Sequence, residues 1–127
     1  MQKIELNKLT IELIASNLIL ITLNEGVTIE VEDVHEVKKH NLSLTQGNDY
    51  AIVFDAGYYT TITKEAREVM ASSEIEKGRK ASAFVINGLS QKILGNFYVK
   101  INKPGVPTKF FSDKEKAINW AKELLNQ

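Results

Sequence analysis

At 127 residues, 43% of them hydrophobic, the chain has the length of one domain and enough apolar material for one core. It holds no cysteine, which excludes disulfides, thiolate zinc sites and cysteine nucleophiles and fits a reducing compartment. Net charge is zero but unevenly spread: residues 1–76 carry six basic against thirteen acidic side chains, and residues 77–116 carry nine against two. That asymmetry reads either as a basic face for an acidic partner or as two solvated faces of one fold.

The start, Met1-Gln2-Lys3-Ile4-Glu5, lacks the basic segment and apolar run of a signal peptide. The longest apolar run, Leu18 to Leu23, is broken by Thr22 and is far short of the ~20 residues of a spanning helix. The expectation is a single domain over 1–127, cytoplasmic, bacterial and without membrane insertion. The lysines are scattered, with no nucleic-acid module, so no nucleic-acid partner is expected.

In chain order, Leu9-Thr10-Ile11-Glu12-Leu13 alternates as a strand with one wet face. Ser16-Asn17 turns it back into Leu18–Leu23 as a hairpin. Thr28 is the expected N-cap of a helix over 29–44, with Val27, Val31, Val34, Val37 and Leu44 as its apolar stripe. Gln46-Gly47-Asn48 stops that helix. Tyr50–Phe54 reads as a strand buried on both faces, of the parallel-sheet type, and Asp55 ends it.

Residues 56–62 form a loop, and Thr63 caps a second helix that turns Ala66, Val69, Met70 and Ser73 inward. Ala83–Ile86 is a further buried strand, ended by Asn87-Gly88. A third helix is expected to carry Leu89, Ile93, Leu94, Phe97, Tyr98 and Ile101 inward, with Gly95 as a close-packing position. After a loop with Pro104 and Pro107, Thr108–Phe111 is the last strand. Ser112 and Glu115 form a capping box for a last helix burying Ala117, Ile118, Ala121, Leu124 and Leu125. The order β-β-α-β-α-β-α-β-α implies an α/β fold, a single mixed and mostly parallel sheet with helices packed on it and an antiparallel edge from the hairpin.

Catalytic and cofactor motifs are missing from the sequence. His35 and His40 stand five apart, which turns one ring about 140° from the other on a helix, so they do not share a metal. There is no Gly-x-Ser-x-Gly elbow and no Gly-x-x-x-x-Gly-Lys-Ser/Thr loop, and no cofactor is expected. The best site is the loop after the central strand, Asp55, Gly57, Tyr58, Tyr59, Thr60, Thr61 and Thr63, because open α/β sheets place sites beyond the carboxyl ends of their strands. It reads as a phosphorylatable or anion-binding rim with Asn87 and Ser112 nearby. The simpler reading is structural, with Asp55 and Thr63 capping and the two tyrosines covering the sheet's end.

The leading hairpin Leu9–Leu23, the strand Tyr50–Asp55 running into a helix, and the ending Phe110-Phe111-Ser112-Asp113-Lys114-Glu115-Lys116-Ala117-Ile118-Asn119-Trp120-Ala121 span nearly the whole chain. Together they resemble the STAS fold, that of bacterial anti-sigma-factor antagonists and of the cytoplasmic tails of sulphate transporters, and more closely small bacterial STAS-like proteins. The resemblance implies a non-enzymatic regulatory domain with a protein partner. In such domains a serine at the start of the helix after the central strand is phosphorylated, in an Asp-Ser-Ser-Gly type of sequence. Here Thr60-Thr61-Ile62-Thr63 stands there, without that aspartate or glycine, which leaves Thr61 and Thr63 as the only candidates.

Three readings remain. One is a STAS-like interaction domain. The second is a binder of a small molecule, a lipid or anionic metabolite, suggested by Tyr58, Tyr59 and the basic stretch Lys77 to Lys80. The third is an enzyme pairing Asp55 with a tyrosine as acid and base. A homodimer through the hairpin edge or an exposed helix is compatible with each.

Overall fold

A computed structural model describes residues 2–127. The hairpin forms as β2 (Leu9–Ala15) against β3 (Leu18–Leu23), in a register that pairs Leu9 with Leu23 and Ile11 with Ile21. The turn runs through Asn17 in the left-handed region, which asparagine tolerates. A strand not expected from the sequence, β1 (Lys3–Glu5), adds antiparallel to β2.

β3 then pairs in parallel with β5 (Tyr50–Asp55), β5 with β7 (Arg79–Val85), and β7 with β8 (Thr108–Phe111). The sheet order is β1-β2-β3-β5-β7-β8, mixed and mostly parallel. β4 (Thr28–Ile29) and β6 (Thr61–Ile62) make a separate two-stranded ribbon. Thr28 is therefore in a strand and not an N-cap. The first helix, α1 (Val31–Thr45), is capped instead by Glu30, whose N–H donates to Asp33 Oδ2 at 2.8 Å. Thr28 is the weaker cap because its backbone already pairs with the strand that leads into the second helix.

The second helical stretch is two helices, α2 (Lys64–Met70) and α3 (Ser73–Glu76), with Thr63 capping the first as expected through Ala66 N–H at 3.1 Å. α4 (Gly88–Phe97) continues into a π-helical turn, Tyr98–Asn102. α5 (Lys114–Leu125) is capped by Asp113, whose Oδ1 accepts from the Glu115 and Lys116 N–H groups, so the Ser112–Glu115 box does not form.

Alternation along the strands sorts side chains to two faces. The back face carries Leu18, Leu20, Ala51, Val53, Ala81 and Ala83, and α5 lies on it through Ala117 and Ala121, with Ile118, Leu124 and Leu125 partly buried. Alanine against alanine lets this helix approach closely. The front face carries Ile19, Ile21, Leu23, Tyr50, Ile52 and Phe84 under α1, α2 and α3, with Tyr98 at the end of α4 packed into the same core. Register stacks Phe54, Phe84 and Phe110 side by side across β5, β7 and β8, with ring centroids 4.7 and 5.3 Å apart. Gly95 of α4 sits over this row, where an added Cβ would lie 2.8 Å from Phe110 Cε1, so any other residue there would have to displace that ring.

Candidate functional site

The loop after β5 is tied down at its base and open at its tip. Gly57 passes so close to the end of β3 that a Cβ would meet the Leu23 carbonyl oxygen at 2.6 Å. Asn87 Nδ2 donates to the Ala56 carbonyl at 2.6 Å. Gln91, in the first turn of α4, donates from Nε2 to the Gly57 carbonyl at 3.0 Å and to Thr60 Oγ1 at 3.1 Å. Thr60 is buried and its hydroxyl donates back to the Gly57 carbonyl at 2.9 Å. Gln91 is thus the clamp between the loop and α4. Nothing in the residue pattern marks it, because a polar residue in a helix's first turn reads as solvent-facing.

The remaining candidates separate. Asp55 faces Lys114 at 3.8 Å and caps nothing. Thr63 holds the N-cap of α2. Thr61 is exposed, and its hydroxyl meets that of Thr28 at 3.0 Å across the β4–β6 ribbon. Tyr58 and Tyr59 do not cover the sheet's end: they are 59% and 83% exposed. Tyr59 also has φ of +61°, a region that bulky residues rarely occupy. Ser112 ends β8 and is exposed. His35 approaches Glu74 at 4.0 Å, and among the described residues no group of three metal-ligating side chains occurs.

The largest departure from expectation is α4. Leu89, Ile93 and Ile101 are 71%, 61% and 61% exposed, and Phe97 is exposed as well. Four residues apart, Leu89, Ile93 and Phe97 share the outer side of the helix. Leu94, Gly95 and Tyr98 take its inner side. The apolar residues of α4 span about half of its circumference, more than the sheet covers, and the outer part of that arc is bare. Lys92, Lys100 and Lys103 flank the bare side and are exposed, and from Lys77 to Ser112 there is no acidic residue.

Behind α4 lies a cavity of about 100 Å³ between the front face, α1 and α2. Its walls are mostly apolar, with Ile21, Val34, Phe84, Leu94 and Phe110 among them. Two arginines border it, Arg67 of α2 and Arg79 at the start of β7. Arg79 is buried, its guanidinium 5.7 Å from the Tyr50 ring and 5.8 Å from the Phe54 ring.

Lys38, also buried, donates to Tyr50 Oη at 3.0 Å and to the Lys77 carbonyl at 2.6 Å. Burial pushes the Tyr50 phenol up, but Arg79 and Lys38 outweigh it and hold it below the usual value. Buried Glu76 accepts from Gly105 N–H at 2.7 Å, and its own burial pushes its carboxyl up, against the pull of that bond and of Arg79. Burial also pushes the Tyr98 phenol up, aided by the charge of Glu76.

The family model described as a domain of unknown function, DUF7793, matches residues 12–125, so the chain belongs to that family. No curated protein is matched. The structure is similar to that of a DUF3478-family protein with a SpoIIAA-like fold from Shewanella loihica PV-4, at a TM-score of 0.63 and 16% identity, covering 95% of this chain and 99% of that one. It is also similar to the anti-sigma factor antagonist SpoIIAA in its unphosphorylated form, at a TM-score of 0.52 and 10% identity, covering 90% and 97%. At those identities the likeness establishes the fold, which is the STAS or SpoIIAA-like α/β fold expected from the sequence.

Proposed function

We propose that this DUF7793 member is a non-enzymatic, STAS-like interaction domain that docks a protein on the outer side of α4. The observation that carries the reading is the bare apolar row Leu89, Ile93 and Phe97 on a helix whose other side is already packed. Covering such side chains stabilises a complex by about 1.5–3 kcal/mol for each one fully buried. The lysines beside the row, in a stretch without acids, call for a partner with an apolar patch rimmed by carboxylates. A second copy presenting the same side would set lysines against lysines. The fold is shared with a protein named for antagonising an anti-sigma factor, which agrees with a role exercised through protein contacts.

The loop Asp55–Thr63 belongs to the same surface, because Gln91 ties it to α4. Of the threonines there, Thr61 has the accessible hydroxyl, whereas Thr63 is spent on a cap and Thr60 is sealed. A phosphate on Thr61 would break its contact with Thr28 and add charge to the loop that Gln91 joins to α4. Phosphopeptide mapping from the native host checks this, and an unmodified Thr61 under every growth condition tested rejects the switch.

Docking is tested by placing a photocrosslinking residue at position 93 in the native host, with position 123 on α5 as control. The expected result is an adduct with one protein at position 93 only. Purified, that protein should bind the full chain more weakly as salt rises and at least tenfold more weakly after Ile93→Asp. Adducts only with further copies of this chain, or equal adducts at both positions, reject the reading.

A second reading, the binding of a small lipid-like or anionic molecule, is supported by the arginine-bordered cavity behind α4.

A further inference from the structure

Arg79 is a buried cation that uses its donors poorly. Its Nη1 lies 3.4 Å from Ser82 Oγ and its Nη2 3.5 Å from Tyr50 Oη, both at the long limit of hydrogen bonding. Its Nε is buried with no partner. It makes no ion pair among the described residues. Arg67, on the facing helix, donates from Nη1 to the Ile62 carbonyl at 2.7 Å and lies 5.5 Å from the Phe97 ring, and its Nε is likewise buried and unpartnered.

The carboxylates nearby are engaged elsewhere. Asp33, which also borders the cavity, is held by Lys8 at 2.7 Å, and Glu76 is held by Gly105. With Lys38 beside Tyr50, the region holds three cations, and the one buried carboxylate among the described residues, Glu76, acts on Arg79 from a distance without forming an ion pair. A desolvated guanidinium is costly unless its donors are met, and its planar fork matches a carboxylate.

We infer that the cavity behind α4 binds a short-chain monocarboxylate, with its carboxylate on Arg79 and Arg67 and its apolar chain over the Phe84 and Phe110 rings. The inference rests on the second reading above and names its ligand class. Size limits the chain: an apolar cavity of 150 Å³ takes the six carbons of a benzene ring, so about 100 Å³ takes roughly four carbons beyond the carboxylate. The apolar lining at Ile21, Val34 and Leu94 rejects a second charge at the far end.

The test titrates the full chain with isovalerate, with 3-methylbutan-1-ol as its uncharged counterpart, and with inorganic phosphate, following amide shifts by NMR. Isovalerate is expected to shift residues around the cavity and to bind at least tenfold more tightly than either other probe. Arg79→Gln should lose at least tenfold in affinity. Val37→Leu, which adds bulk to the lining and leaves both arginines in place, should lose it too, and thermal unfolding confirms that each variant is folded. Equal binding of the alcohol and isovalerate overturns the carboxylate assignment and leaves the second reading standing. No shift with any probe at millimolar concentration overturns both. Shifts of the unsubstituted protein lying outside the cavity overturn the site.

Discussion

The two faces of the sheet are built to different standards. On the back, α5 rests on alanines and valines, and Leu18, Ala51, Val53, Ala81, Ala83, Ala117 and Ala121 are all sealed from solvent. On the front, larger side chains meet four helical segments, leave a cavity, and bury two cations beside it. Small residues allow close approach and leave nothing to fill, whereas large ones on several short helices fill space imperfectly. The back face supplies stability. The front supplies room, charge and a helix with an uncovered side, which are the materials of a binding region.

The sharpest way to break that contrast is to add the same bulk to each face. Ala83→Val on the back pushes into the floor under α5 and should cost about 1–3 kcal/mol. Val37→Ile on the front faces the cavity and should cost less than about 0.5 kcal/mol or stabilise. Urea unfolding of both variants reads the difference directly. Equal losses would mean that the front face is as full as the back.

How much of this was legible beforehand follows the same division. The back face and the hairpin obey simple periodicity, and Leu9–Leu23 and Tyr50–Asp55 formed as expected, as did the Thr63 cap and the close-packed Gly95. β7 begins at Arg79, four residues before its expected start, because Arg79 and Lys80 read as surface charges while a tyrosine and a phenylalanine in fact cover the guanidinium. β1 and the β4–β6 ribbon are too short to show a period. α4 misled for the opposite reason: Leu89, Ile93, Leu94, Phe97, Tyr98 and Ile101 spread over about half of the helix's circumference, so periodicity does not say which part of that arc faces the sheet. In the candidate loop, hydroxyls and tyrosines marked the place, but the clamp came from Gln91, thirty-one residues from Thr60.

A smaller effect separates the outer side of α4 from its inner side. Ile93→Ser removes an exposed side chain and should change stability by less than about 0.5 kcal/mol. Leu94→Ser, one residue on and facing the cavity, should cost clearly more. Thermal unfolding of the pair decides. A large loss from Ile93→Ser would mean that the row is already covered by this chain, and the docking surface would vanish with it.

The smallest signal comes from the buried charges of the front face. Arg79 and Lys38 stabilise the phenolate of Tyr50, so its folded pKa lies below its unfolded value of 10.0. A depressed folded pKa contributes stability at pH above the unfolded pKa, a contribution lost as pH falls through the folded one. Tyr98 is displaced the other way, upward, by burial and by Glu76. Absorbance of the ionised phenol on raising the pH should therefore appear early for Tyr50, and Tyr50→Phe should remove that early step. Arg79→Gln, with the fold intact, should delay the step toward 10. An unchanged titration in Tyr50→Phe would mean that solvent or an acid already neutralises the two cations, and the case for an anion in the cavity would weaken with it.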